Sequence, residues 1–268
     1  MRGAGEIPRV LSIAGSDSGG GAGIQADLKA FAACRVHGMT AITAITAQNT
    51  IGVDVIEAVS PELILAQVRA VARDIGVDAV KVGMLGSTET IDAVAAALAE
   101  LRAENPALPI VVDPVMVSES GAALLQPQAR DALITRILPL ATVATPNLPE
   151  ARALTDGDER TEPAQLAHDV RALGPRIVVV TGGHRAQPID VYDDGERVVE
   201  IPGERYASDA SHGSGCTHSS VLAARLAHGD DPLRAARAAK KAAAESVRDG
   251  LRQIGHGAGP VSILRMDG

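Results

Sequence analysis

The chain has 268 residues, a formal net charge of −8 and two cysteines. That length can bury a large core, while the acidic balance argues against a nucleic-acid partner. With no Trp and only Phe31, Tyr192 and Tyr206 as aromatics, base-stacking platforms are also disfavoured, and Ala, Val and Leu must build the core. Cys34 and Cys216 are too few for a disulfide framework, which fits a reducing cytoplasm. The opening MRGAGEIPRVLSIAG lacks the apolar stretch of a signal peptide. No run approaches the ~18 apolar residues of a membrane span, so no membrane partner is expected.

In chain order, apolar runs alternate with helical patterns. Strands are predicted at Val10–Ala14, Thr40–Thr46, Val53–Val59, Ala79–Val82, Ile110–Asp113, Thr142–Thr145, Ile177–Thr181, Ile189–Tyr192 and Val198–Ile201. Helical patterns fill Gly23–Cys34, Pro61–Ile75, Thr88–Glu104, Pro127–Leu138 and Glu162–Leu173. Two more close the chain, Thr217–His228 and Pro232 to about Leu251. Such alternation predicts an α/β domain with a mostly parallel central sheet and helices on both faces. The pairs Thr40–Val59 and Ile189–Ile201 lack intervening helices and are predicted as antiparallel edge hairpins. No linker or repeat interrupts residues 1–268, so a single domain is expected. Residues 102–109 and 155–163 read as surface loops. Lys240 and Lys241 are expected on the solvated face of the last helix.

Polar and glycine residues gather where strands end, which is where open α/β sheets bind ligands. Gly15 to Gly23 (GSDSGGGAG) follows the first strand. It is neither a Walker A loop nor a dinucleotide fingerprint. Asp27 lies one turn into the next helix, either facing the same cleft or simply solvated. Gln48-Asn49, Gly83-Met84 and Asp113-Pro114-Val115 end other strands. Asn147 and Glu150 stand three apart, which suits one of two roles. With Asp113 they would make an oxygen-rich Mg²⁺ site; alternatively they form a helix capping box.

His212-Gly213-Ser214-Gly215-Cys216-Thr217 is the most telling run. Its glycines let the backbone fold around an anion, and a helix follows. Free N–H groups and roughly half a unit of positive charge would then face the ligand. A thiol placed there should fall below its usual pKa of about 8.5 and act as a base. An anion hole beside a base is what phosphoryl transfer to a hydroxyl requires. His212 and His218 flank Cys216, but a zinc site lacks a fourth ligand and a cysteine hydrolase lacks a distant His partner. Cys34 reads as a small core residue.

These motifs together resemble the ribokinase-like superfamily, and within it the hydroxymethylpyrimidine/phosphomethylpyrimidine kinases of thiamine biosynthesis. The resemblance rests on IAGSDSGGGAGIQADLKAF (13–31), GMTAITAITAQNT (38–50), VKVGMLGS (80–87), VVDPVMV (111–117), LPLATVATPNLPEA (138–151), TGGH (181–184) and HGSGCT (212–217). It implies a ribokinase-like fold, ATP and Mg²⁺ as cofactors, a homodimer, and two successive transfers, first to the hydroxymethyl group and then to the monophosphate. It places the pyrimidine near Gly15, Asp27, Gln48, Met84 and Val115. The Gln48 carboxamide has a donor beside an acceptor, matching an exocyclic amine beside a ring nitrogen. Asn147 and Glu150 would organise Mg²⁺ and phosphate through water, supported by Asp113. Gly213, Ser214 and Gly215 would hold the transferring phosphoryl, with Cys216 as base. Thr181 and Gly183 would border the ATP phosphates. Many relatives carry lysine where this chain has Thr181, so another cation is expected to compensate. Pyridoxal kinase is the nearest rival activity, and a non-catalytic precursor-binding protein the rival of another class. The segment Val117–Leu125 is expected to move over the substrate.

Overall fold

In the computed structural model, which describes residues 6–183 and 187–264, nine strands form one sheet in the order β3-β2-β1-β4-β5-β6-β7-β8-β9. The strands are β1 (Arg9–Asp17), β2 (His37–Gln48), β3 (Val53–Ala58), β4 (Ala79–Val82), β5 (Ile110–Val112), β6 (Val143–Ala144), β7 (Ile177–Val180), β8 (Asp190–Asp193) and β9 (Val198–Ile201). From β2 through β7 every neighbouring pair is parallel. Antiparallel β3 closes one edge, and β8 and β9 close the other. The expected architecture and both edge hairpins are therefore present.

The central strands are apolar on both faces because both faces are covered. Leu11, Ile13, Val80, Val82, Ile110 and Val112 point into one core, with helices α2 (Pro61–Asp74) and α3 (Thr88–Glu104) against it. Val10, Ala79, Val111, Val143 and Val179 alternate into the other. There they meet α1 (Gly23–Ala33), α7 (Ser214–Ala227) and α8 (Pro232–Arg248). The small side chains of α7 let it lie close to the sheet and to α8.

Three local differences from the sequence expectation matter. The Pro127–Leu138 helix is broken into α4 (Ala129–Ala132), a π turn at Leu133–Ile137 and a 3-10 turn at Leu138–Leu140. Pro139 has no N–H to continue the ladder, and Ile134, Thr135 and Ile137 are β-branched. An unexpected helix, α5 (Leu148–Thr155), starts at the Asn147 cap; α6 (Pro163–Ala172) follows it. Finally, Lys240 does not lie on a solvated face. It is buried and pairs with Asp190 at 2.5 Å, whereas Lys241 is exposed. Among the described residues no helix is long and apolar enough to cross a membrane.

Candidate active site

The parallel strands all end at one cavity of about 430 Å³. β1 contributes Gly15 at a register shift against β2, and a Cβ there would press on the Met84 sulfur at 3.1 Å. Met84 follows β4, Asp113 and Val115 follow β5, Asn147 follows β6, and Thr181 follows β7. Gln48, at the end of β2, completes that wall. Its Oε1 lies 3.2 Å from the Thr46 hydroxyl, whose one proton is shared with Ser16 O at 2.8 Å.

The 212–216 run lines the same cavity. Gly213 caps α7 with φ 87°, so the helix starts at Ser214, a turn earlier than the sequence pattern suggests. Ser214, Gly215 and Cys216 thus form its first turn; the Ser214 N–H donates to Ser211 O at 3.0 Å, and the helix itself offers no partner to those of Gly215 and Cys216. All four residues 213–216 line the cavity, as do Gly183 and Glu150.

The thiol departs from expectation. Burial pushes Cys216 up to about 12, with Asp27 and Asp113 adding to it and Lys81 and the Gly23 N–H opposing. Burial foremost, and then the two carboxylates, outweigh the helix terminus. Asp27 is a second correction. It is fully buried behind the cavity wall, neither solvated nor facing substrate. Its oxygens take Ser12 Oγ at 2.6 Å, Ser220 Oγ at 2.7 Å and Lys81 Nζ at 3.0 and 3.1 Å. Burial disfavours charge on Lys81, yet Asp27, Cys216 and Asp113 together raise its pKa, so it is an ammonium.

Asn147 and Glu150 do form the capping box, at 2.8 and 2.9 Å. Glu150 nevertheless stays in the cavity wall. Burial, then the nearby charge of Asp113, raise it to about 8. Burial also raises Asp113, whose Oδ2 accepts from Ser219 Oγ at 2.9 Å. Two buried carboxylates that resist ionising together suit a hydrated cation between them. No set of three or more His, Cys, Asp or Glu arranged around a metal occurs among the described residues.

Several groups escaped sequence reasoning. Lys240 Nζ and the Gly182 N–H both bind Asp190 Oδ1, at 2.5 and 2.9 Å, one residue from Thr181. His218 approaches the other Asp190 oxygen at 3.2 Å. Burial would raise Asp190, but His218 and Lys240 hold it low. A signal existed for Lys81, since a lysine inside the apolar strand Ala79–Val82 is unusual. His184 lies outside the described residues. Val117, Ser118, Glu119 and Leu124 line the cavity, in a segment with a Val117–Ala123 bridge and with Glu119 accepting from Ser211 Oγ at 2.8 Å.

A family model described as phosphomethylpyrimidine kinase matches residues 17–262. A hydroxymethylpyrimidine/phosphomethylpyrimidine kinase of Rhizobium meliloti (strain 1021) is 49% identical over 259 residues, covering 94% of this chain and 95% of its own. Pyridoxal kinase of Bacillus subtilis, solved as an ADP complex, gives a TM-score of 0.88 at 36% identity, covering 98% of this chain and 99% of its own. Phosphomethylpyrimidine kinase from Clostridium difficile 630 gives 0.76 at 39%, covering 88% and 96%. The fold is that of the ribokinase-like kinases. Within that class, the chain belongs to the phosphomethylpyrimidine kinase family.

Proposed function

We propose that this chain is an ATP-dependent kinase acting first on 4-amino-5-hydroxymethyl-2-methylpyrimidine and then on its monophosphate, within one domain. The observation that carries this reading is one cavity lined both by Gly15, Gln48, Met84 and Val115 and by the 213–216 loop. The pyrimidine lies against the first four residues, with its amine and ring nitrogen on Gln48. The ATP phosphates run along Thr181 and Gly183 to the N-terminus of α7. Each loop N–H aimed at the transferring group contributes about 3 kcal/mol, by comparison with other anion holes. Lys240 lines the same cavity, with its ammonium paired to Asp190. The segment 117–125 closes over both substrates and keeps water out.

Asp113 and Glu150 fit a hydrated Mg²⁺, because both are held above their ordinary pKa in a shared acidic pocket. When bound, that ion supplies positive charge to the phosphates and to these carboxylates. Cys216 then serves as acceptor of the hydroxymethyl proton, with Lys81 and the Gly23 N–H favouring its thiolate. The second acceptor, a phosphate oxygen, is already ionised and needs no base. A homodimer joined through β3 completes the reading.

The test is a purified-enzyme assay with ATP and Mg²⁺, offering the hydroxymethylpyrimidine and pyridoxal separately, with products identified by mass. Mono- and then diphosphate from the pyrimidine support the proposal. The likeness to Bacillus subtilis pyridoxal kinase makes pyridoxal the necessary comparison. Transfer to pyridoxal alone overturns the substrate and the role of Gln48.

A further inference from the structure

The two glycine-rich loops are locked together by one buried pair. Asp17, at the end of β1, takes the N–H groups of its own loop: Gly19 on Oδ1 at 2.8 Å, Gly21 and Ala22 on Oδ2 at 3.0 and 2.8 Å. The same Oδ2 meets His212 Nε2, from the other loop, at 3.0 Å. Both side chains are more than nine-tenths buried. The backbones touch at this point too. A Cβ on Gly21 would overlap the His212 ring, and one on Gly213 would overlap the Gly21 carbonyl. On its far side His212 is held by the chain's last segment, with its N–H on Gly259 O at 3.2 Å and its carbonyl accepting from Val261 at 3.0 Å. Asp17, Ala22 and Gly23 line the cavity on one side of this contact, and Gly213 to Cys216 on the other.

We infer that the Asp17–His212 pair is a positioning device that fixes the distance between the acceptor hydroxyl, held by the first loop, and the phosphoryl, held by the second. Both residues also line the cavity; their role is to hold the loops rather than to meet the reacting atoms. The inference rests on the kinase reading for where the two substrates lie. In-line transfer needs the reacting atoms near 3–3.5 Å, and a 1 Å misplacement can cost about 100-fold. A loosened second loop still holds ATP but presents its phosphoryl to water as readily as to the pyrimidine.

The readout is the amount of phosphorylated pyrimidine formed per ATP consumed, which does not depend on the fraction of enzyme folded. His212→Leu removes the donor at similar bulk, and His212→Gln returns an N–H near the Nε2 position. We expect the ratio to fall several-fold in His212→Leu, for both transfers alike, and to recover in His212→Gln. An unchanged ratio in His212→Leu, or no recovery in His212→Gln, overturns the inference. Asp17→Asn puts an NH₂ among the N–H donors and should lower the ratio in the same way. Amide exchange on the substrate-free protein gives a second reading. The amides of Ser214 and Thr217, which donate to Ser211 O and Gly213 O, should exchange about 10-fold faster in His212→Leu; equal rates overturn the clamp. If the wild type transfers nothing to the pyrimidine, the kinase reading fails, while the exchange result still decides whether the pair locks the loops.

Discussion

Cys216 sits where opposing influences meet. Lys81 and the Gly23 N–H favour its thiolate, and burial with Asp27 and Asp113 disfavours it more strongly. A base role therefore depends on offsetting both the burial and the charge of Asp113 when substrates are bound. Cys216→Ala should slow the first transfer far more than the second, because only the first acceptor carries a proton to lose. Single-turnover rates for each step check this; equal losses would assign the thiol to anion binding. Glu150 offers a pH test. Its carboxyl is raised from 4.5 to about 8 in the folded state, so that state binds the proton more tightly than the unfolded chain. Stability from this group is full below pH 4.5 and is lost as pH rises through 8. Without divalent metal, the wild-type Tm should fall over this range relative to Glu150→Gln, which keeps an acceptor for the helix cap. Parallel Tm curves for the two proteins would refute the shift.

Among the elements, strand ends carry the recognition. β2 runs long enough to set Gln48 in the cavity wall, with its oxygen near the Thr46 hydroxyl. Gln48→Ala should raise the KM for the aminopyrimidine about 10-fold, the value of one or two hydrogen bonds, with little change for ATP. Steady-state kinetics with each substrate varied would show it, and an unchanged KM removes Gln48 from recognition. The strand and helix periodicities were legible because most elements are buried on one or both faces. The helix at 148–155 was not, being short and announced only by Asn147 and Glu150, which also suited a metal site. Both roles have support, since the cap is formed and Glu150 still lines the cavity. The burial of Asp27 and Lys240 could not be read from local pattern. Each is charged and lies on a helix that could have been solvated, and only distant partners, Lys81 and Asp190, explain its place.

At the scale of the whole molecule, the sheet is protected unevenly. Every residue of β3 after Val53 is exposed, including Val55 and Ile56, with Ile45 exposed on β2 beside it. An apolar edge strand left open is a site for pairing. Val55→Lys should therefore convert the proposed homodimer to monomer, as read by sedimentation velocity, and an unchanged mass would move the interface elsewhere. The same whole-chain view gives meaning to the brace on His212. All nine strands lie before residue 202, and α8 ends at Arg248, but the backbone partners of His212 are Gly259 and Val261. The brace is therefore separable from the architecture: a lesion confined to residues 259–261 would spare the sheet while freeing the 212–216 run.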